Sequence, residues 1–214
     1  MEMTMVPDVA KRRLTRRRLL QAAGGLVLAG LAPEALAAEA ALGEVSDLRG
    51  SATARRKAKR RDLDQGASVF LGETLITAKR SRLTAVLAGK TTLRLGAETS
   101  LRLDRFIAEK GGELVLGNGA LLLDTPARKP GSGGVVVRSP FALIAVRGTR
   151  YFAGPIDGIF GVFVERGSVN VTAGGRTVRL RAGDGTDIRR AGDPPGPVRR
   201  WGRPKIAKAM ALVN

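Results

Sequence analysis

The stretch Thr91–Asp104, TTLRLGAETSLRLD, decides the fold. Leucines at 93, 95, 101 and 103 stand two apart, with Arg94 and Arg102 between them. Successive side chains of a β-strand point to opposite faces. A period of two therefore predicts two short strands whose leucines face a core and whose arginines face solvent, with Gly96 marking the turn between them.

The same spacing recurs on both sides of this stretch. It is present at Leu83-x-Ala85-x-Leu87, Leu114-x-Leu116, Leu121-x-Leu123, Val135-x-Val137, Val162-x-Val164, Val169-x-Val171 and Val178-x-Leu180. Glycines punctuate it, among them Gly89, Gly117, Gly119, Gly167, Gly174 and Gly183. Many short strands joined by tight turns predict an all-β domain in a solenoid-like or sandwich arrangement, with no strict repeat. With six Phe, one Tyr and one Trp in 214 residues, its core has to be built from Leu, Val, Ile and Ala.

One segment breaks the pattern. Ala54–Asp64, ARRKAKRRDLD, crowds Arg55, Arg56, Lys57, Lys59, Arg60 and Arg61 together. Six like charges do not pack in a core, so the segment reads as a solvent loop or hairpin tip. It is also the candidate contact for a polyanion or a partner. Asp62 and Asp64 beside it read as local charge balance.

At the front, Lys11, Arg12, Arg13 and Arg16 to Arg18 precede a mildly apolar run, Leu19–Leu31. As a helix that run reaches about 20 Å, short of a bilayer core of about 30 Å. Ala35-Leu36-Ala37 supplies a small-x-small cleavage pattern. Thr15-Arg16-Arg17-Arg18-Leu19-Leu20 is similar to the twin-arginine export motif, with Arg16 and Arg17 as its pair and Gln21 where Lys is usual. The expectation is a signal peptide over 1–37, cleaved after Ala37, a periplasmic mature chain with no membrane span, and a main domain over 38–190.

At the back, 191–214 changes composition. Pro194, Pro195 and Pro197 predict an extended linker, and PKIAKAMALV from Pro204 predicts a short helix. Trp201, Ile206, Met210 and Val213 form its apolar side, which either docks on the β domain or engages a partner.

The chain carries 37 Lys+Arg against 19 Asp+Glu, and removal of 1–37 leaves 31 against 16. Outside the cytoplasmic membrane such a field attracts cell-wall polymer, lipopolysaccharide or acidic lipid and protein surfaces rather than nucleic acid. There is no Cys and no His. That excludes disulfides, thiolate and imidazole metal sites, and every catalytic arrangement built on a Cys nucleophile or His base. Asp184-Gly185-Thr186-Asp187 has too few carboxylates for a calcium loop and reads as a hairpin turn. Arg147–Arg150 and Ser139-Pro140 read as turns, and Gly117-Asn118-Gly119 lacks the helix and later glycine of a dinucleotide site. No catalytic residue, cofactor site or metal site is assigned.

Read together, Gly72, Leu75, Thr77, Ser81-Arg82, Leu93-x-Leu95-Gly96, Gly148-Thr149-x-Tyr151-Phe152, Val162-x-Val164, Gly167, Val169-x-Val171 and Ala182-Gly183 resemble the FecR domain over about residues 43 to 190. Gly148, Thr149, Phe152 and Gly167 carry the signature. The resemblance implies a β-rich, solenoid-like periplasmic domain that relays signals through protein contact. With 1–37 read as a leader, the chain is similar to the free-standing exported type. The expected role is a non-catalytic binding or scaffold domain with an envelope protein as partner, the alternative being a cationic module that binds cell-wall polymer or another polyanion.

Overall fold

Leu93, Leu95, Leu101 and Leu103 are all completely buried, while Arg102 is exposed. The computed structural model describes residues 40–107, 111–127 and 133–214. The predicted signal peptide, with Arg16, Arg17, Ala35 and Ala37, lies outside them.

The period-two segments form two nine-stranded sheets. The first runs, edge to edge, β18 (Arg199–Arg200), β17 (Asp184–Ile188), β14 (Ile159–Arg166), β13 (Arg150–Ile156), β10 (Leu121–Asp124), β7 (Thr91–Leu95), β6 (Arg82–Leu87), β1 (Gly43–Arg49), β4 (Ser68–Val69). The second runs β16 (Arg176–Arg181), β15 (Ser168–Ala173), β12 (Leu143–Val146), β11 (Val135–Arg138), β9 (Gly111–Asn118), β8 (Ser100–Ile107), β5 (Thr74–Thr77), β2 (Ala52–Arg56), β3 (Lys59–Leu63). Alternate residues of both sheets meet in one core that includes Leu75, Leu87, Leu114, Leu116, Val137, Ile144, Val164 and Val171. Burying each such side chain contributes roughly 1.5–3 kcal/mol. This is a sandwich, built as the aliphatic composition requires.

The topology has one physical hinge point. From β6 onward the chain passes alternately between the two sheets, as hairpins β6–β7 and β8–β9, then the single strand β10, then hairpins β11–β12, β13–β14 and β15–β16. The crossings before β10 stack at one end of the sandwich, where Ala78 N–H donates to Ser51 O, Glu98 N–H to Ala78 O and Gly96 N–H to Ala120 O. The crossings after β10 stack at the opposite end, where Thr125 N–H donates to Thr149 O. β10 is a single strand without a hairpin mate, so it carries the chain from one end to the other. For that reason β9 and β11 enter the second sheet in the same direction and pair in parallel, while the other strand pairs are antiparallel.

A second, smaller apolar cluster covers the outside of the first sheet. Helix α1 (Arg203–Ala211), with Pro204 in its first turn, lays Ala209 and Val213 on Leu122, Phe152, Ile156 and Phe163, joined by Trp201, Ile206 and Met210. Of the two arrangements open to this segment, the structure shows the helix docked on its own sheet. Its C-terminal carbonyls are met by cations, which favours that end of a helix: an Arg82 Nη donates to Ala211 O at 2.7 Å, and Arg94 donates to the Asn214 side chain at 2.6 Å. Arg94, expected in solvent, is therefore half-buried at the helix end. The proline segment is pinned rather than free, since Gly196 N–H donates to Asp187 O and the Thr186 hydroxyl to Gly196 O, both at 2.9 Å.

Candidate functional site

The cationic segment does not interrupt the β pattern. Arg55 and Arg56 end β2, and Lys59, Arg60 and Arg61 begin β3, paired in register from Ala52↔Leu63 to Arg56↔Lys59. The turn is Lys57-Ala58, with Lys57 left-handed at φ 52°. Of the two readings, solvent loop or hairpin tip, the structure shows the hairpin, but only Lys57 of the six cations sits in its tip: the other five lie on strands, because a hairpin needs only two turn residues and a cation fits the pleat wherever that face is wet.

The pleat then divides the six. Ala52, Ala54 and Leu63 face the core, so Arg56, Lys59 and Arg61 share their side at its rim, and Arg55 and Arg60 stand on the outer face. Arg61 is bound within the fold. Its Nε and an Nη donate to the two carboxylate oxygens of buried Glu73 at 3.0 and 2.9 Å, and its guanidinium lies 5.5 Å from the centre of the Phe70 ring. Glu73 also accepts the Phe70 N–H at 2.9 Å. A bidentate, two-thirds-shielded pair of this kind holds the β3 edge to the β4–β5 connection, and Arg61 leaves the set available to a ligand. Arg55 and Arg60 face each other directly across β2 and β3, and neither makes a side-chain hydrogen bond or ion pair among the described residues.

The signature residues build the sandwich. Thr149 is completely buried at the crossing from β12 to β13. Its hydroxyl donates to Ser168 O at 2.9 Å, its N–H donates to the Thr125 hydroxyl at 3.0 Å, and the Thr125 hydroxyl lies 3.2 Å from Thr149 O. Gly167 has φ +87°, and a Cβ there would sit 2.7 Å from Gly148 O and 2.9 Å from the Thr149 hydroxyl. At the opposite end the Thr77 hydroxyl donates to Gly96 O at 2.6 Å and accepts from Thr99 N–H, while the Thr99 hydroxyl accepts from Ala120 N–H at 3.0 Å. Threonines thus join successive crossings where no strand ladder reaches. Phe152 faces the other way, under α1. Sequence reasoning missed this role. The available signal was a threonine two residues after Leu75 and Leu123 and two residues before Leu101 and Tyr151, at 77, 125, 99 and 149.

Other motifs resolve simply. Asp184–Asp187 is corrected from turn to strand: the turn is Ala182-Gly183, Asp184 accepts the Arg181 N–H at 2.9 Å, and Asp187 is bound by Lys205 Nζ at 2.6–2.7 Å. Gly185 is needed there because the Trp201 indole lies against its Cα. Ser139 is a turn, its hydroxyl accepting the Phe141 and Ala142 N–H groups at 3.2 and 3.0 Å. A shallow cleft of about 190 Å³ between hairpin ends is lined by Leu116, Pro140, Phe141, Pro155 and Phe160, with no ionisable side chain. Tyr151 is wholly buried with its hydroxyl unpartnered among the described residues, and burial pushes its pKa far up, so it stays protonated. Among the described residues no group of three or more Asp or Glu is placed to hold a metal ion. No helix among them is long and apolar enough to cross a membrane.

The chain's resemblances agree with this architecture. Residues 73–170 match the family model described as FecR protein. No curated protein matches the chain. Two crystal structures of a candidate anti-sigma factor from Parabacteroides distasonis, at 1.65 and 2.50 Å, are similar in fold. In both the TM-score is 0.54 at 15% identity, and the match covers 63% of this chain and 62% of that one, less than two thirds of its length.

Proposed function

From the FecR match over residues 73–170 we propose that this protein is a non-catalytic binding or scaffold domain that acts in envelope signal relay by contact with another protein. It works in the periplasm after export under the Arg16-Arg17 signal and cleavage at Ala37. One observation carries the reading: the hydroxyl and N–H of Thr149, in the family signature, are consumed at a sandwich corner, while Arg55, Arg60, Arg102 and Arg138 stand exposed on the outer face of the second sheet. A domain whose signature residues are structural acts through its surface. The neighbour in both solved structures is described as a candidate anti-sigma factor, which supports a regulatory role.

Cross-linking the protein at native abundance in the cells that make it, followed by a high-salt wash and mass spectrometry, tests this. A single salt-resistant protein adduct is the expected result, and its absence overturns the reading. Export is tested separately: Arg16→Lys with Arg17→Lys should leave the uncleaved precursor inside the cell.

The second reading, a cationic module for cell-wall polymer or another polyanion, draws on the directly opposed Arg55 and Arg60. Like charges facing each other across a ladder destabilise it, and an external anion removes that cost. It predicts binding to isolated wall material that is lost between low and high salt.

A further inference from the structure

The two outer faces of the sandwich differ in how their arginines are satisfied. On the first sheet, under or beside α1, Arg82 and Arg94 hold the helix end and Arg150 binds Asp124 and Glu165. On the second sheet the outer-face arginines Arg55, Arg60, Arg102 and Arg138 are exposed, although Thr53 beside Arg55 is buried. Registers Arg60↔Arg55, Arg55↔Thr74, Thr74↔Arg102, Arg102↔Val115 and Val115↔Arg138 place these six residues in one line across β3, β2, β5, β8, β9 and β11. At about 4.8 Å per strand the line is about 24 Å long.

Its charge is uneven. Arg102 has Asp104 beside it and Arg138 is bound by Glu113, but Arg60 and Arg55 have no acidic partner among the described residues. Its polarity is mixed, too: Thr74 and Val115 interrupt the cations and are half-buried, as are Ile76 and Val136 beside them. A phosphate polymer or acidic glycan would pair the arginines and gain nothing by drying Val115. A peptide with carboxylates interleaved with apolar side chains satisfies both, since guanidinium–carboxylate pairs are bidentate and apolar contact adds burial.

We propose that this line on the second sheet is the docking site for an acidic, amphipathic segment of a partner protein, its carboxylates meeting Arg60 and Arg55 first. The proposal rests on the protein-contact reading above and locates it. It also differs from the six-cation hairpin, since Arg56, Lys59 and Arg61 lie on the other side of the pleat and Arg102 and Arg138 come from strands far along the chain.

The test places p-benzoyl-phenylalanine at Thr74 in the full chain, with a second probe at Ser46 on the first sheet, and irradiates the producing cells. The expected result is an adduct at position 74 that maps to an Asp/Glu-rich peptide of one protein. It should fall at least tenfold in Arg55→Glu/Arg60→Glu and stay unchanged in Arg49→Glu. Where the double reversal loses its strand circular dichroism, Arg55→Gln/Arg60→Gln takes its place. A protein adduct at Ser46 alone, or one at position 74 indifferent to Arg55 and Arg60, overturns this site and leaves the protein-contact reading standing. An adduct at position 74 with glycan or lipid overturns the acidic-peptide occupant. No protein adduct at either probe overturns both.

Discussion

A single hydroxyl shows how the sandwich is closed. Thr149 bonds to Ser168 O across one crossing, and its N–H meets Thr125 across the next. Thr149→Val keeps the shape and removes the hydroxyl, leaving buried groups unpaired at about 1–3 kcal/mol. Urea unfolding should show a lower midpoint with unchanged slope, and Thr149→Ser should recover most of the loss. Glu113 makes the acid prediction. Hydrogen bonds from Arg138, then Arg105, hold its pKa below the ordinary 4.5, so the folded state binds that proton less readily than the unfolded chain. Its stabilisation is complete above the ordinary value and is lost as pH falls through the lower folded one. Urea midpoints of wild type and Glu113→Gln should therefore converge between pH 7 and pH 3, and a constant gap would refute the assignment. Residue types were readable here in advance. Partners such as Glu73 for Arg61, or Asp124 for Arg150, were not, because they join positions 12 to 26 residues apart that only the sheet registers bring together.

Among the elements, the C-terminal helix shows most clearly what pattern can and cannot supply. Pro204 and the apolar side from Ile206 to Val213 located it. Where it lies is set by groups on other elements: Gly161 and Gly185, which make room for the Trp201 ring, Phe163 stacked on that ring at 5.3 Å, and Arg82 and Arg94 at the helix end. Gly185→Ala would drive its methyl into the indole. The expected outcome is a red-shifted emission from Trp201, the only tryptophan, with strand circular dichroism retained. Lys205 stands 4.2 Å from the centre of the same ring while binding Asp187, so Lys205→Ala should give a smaller shift in the same direction. The cationic hairpin shows the reach of charge density alone. It left a solvent loop and a hairpin tip both open, and β-pairing tolerated the cations on the strands because the pleat sends them alternately to a wet face and a wet rim.

For the molecule as a whole, two apolar clusters of unequal size lie on opposite sides of the first sheet. The larger is shared by both sheets and should unfold as one cooperative unit. The smaller holds α1 and can be lost without opening the sandwich. In urea, Trp201 emission is expected to change at lower concentration than far-ultraviolet circular dichroism, and coincident transitions would show that the layers are coupled. The free edges of the second sheet, β3 and β16, are rich in Lys and Arg, which discourages edge-to-edge pairing between copies.

Alternation of leucine and arginine at Thr91–Asp104 and its repeats by itself determined that the protein is all-β, with an aliphatic core and short strands. Period two leaves a chain no other way to bury those residues. The same order of residues carried the FecR resemblance, and the absence of Cys and His removed whole classes of chemistry. Tertiary structure alone decided which sheet each hairpin joins, where β10 moves the crossings from one end to the other, which face α1 covers, and which arginines remain without a carboxylate. Those are questions of register between strands distant in sequence. Local periodicity places a side chain on a face, but only closure of the two sheets settles what lies across from it.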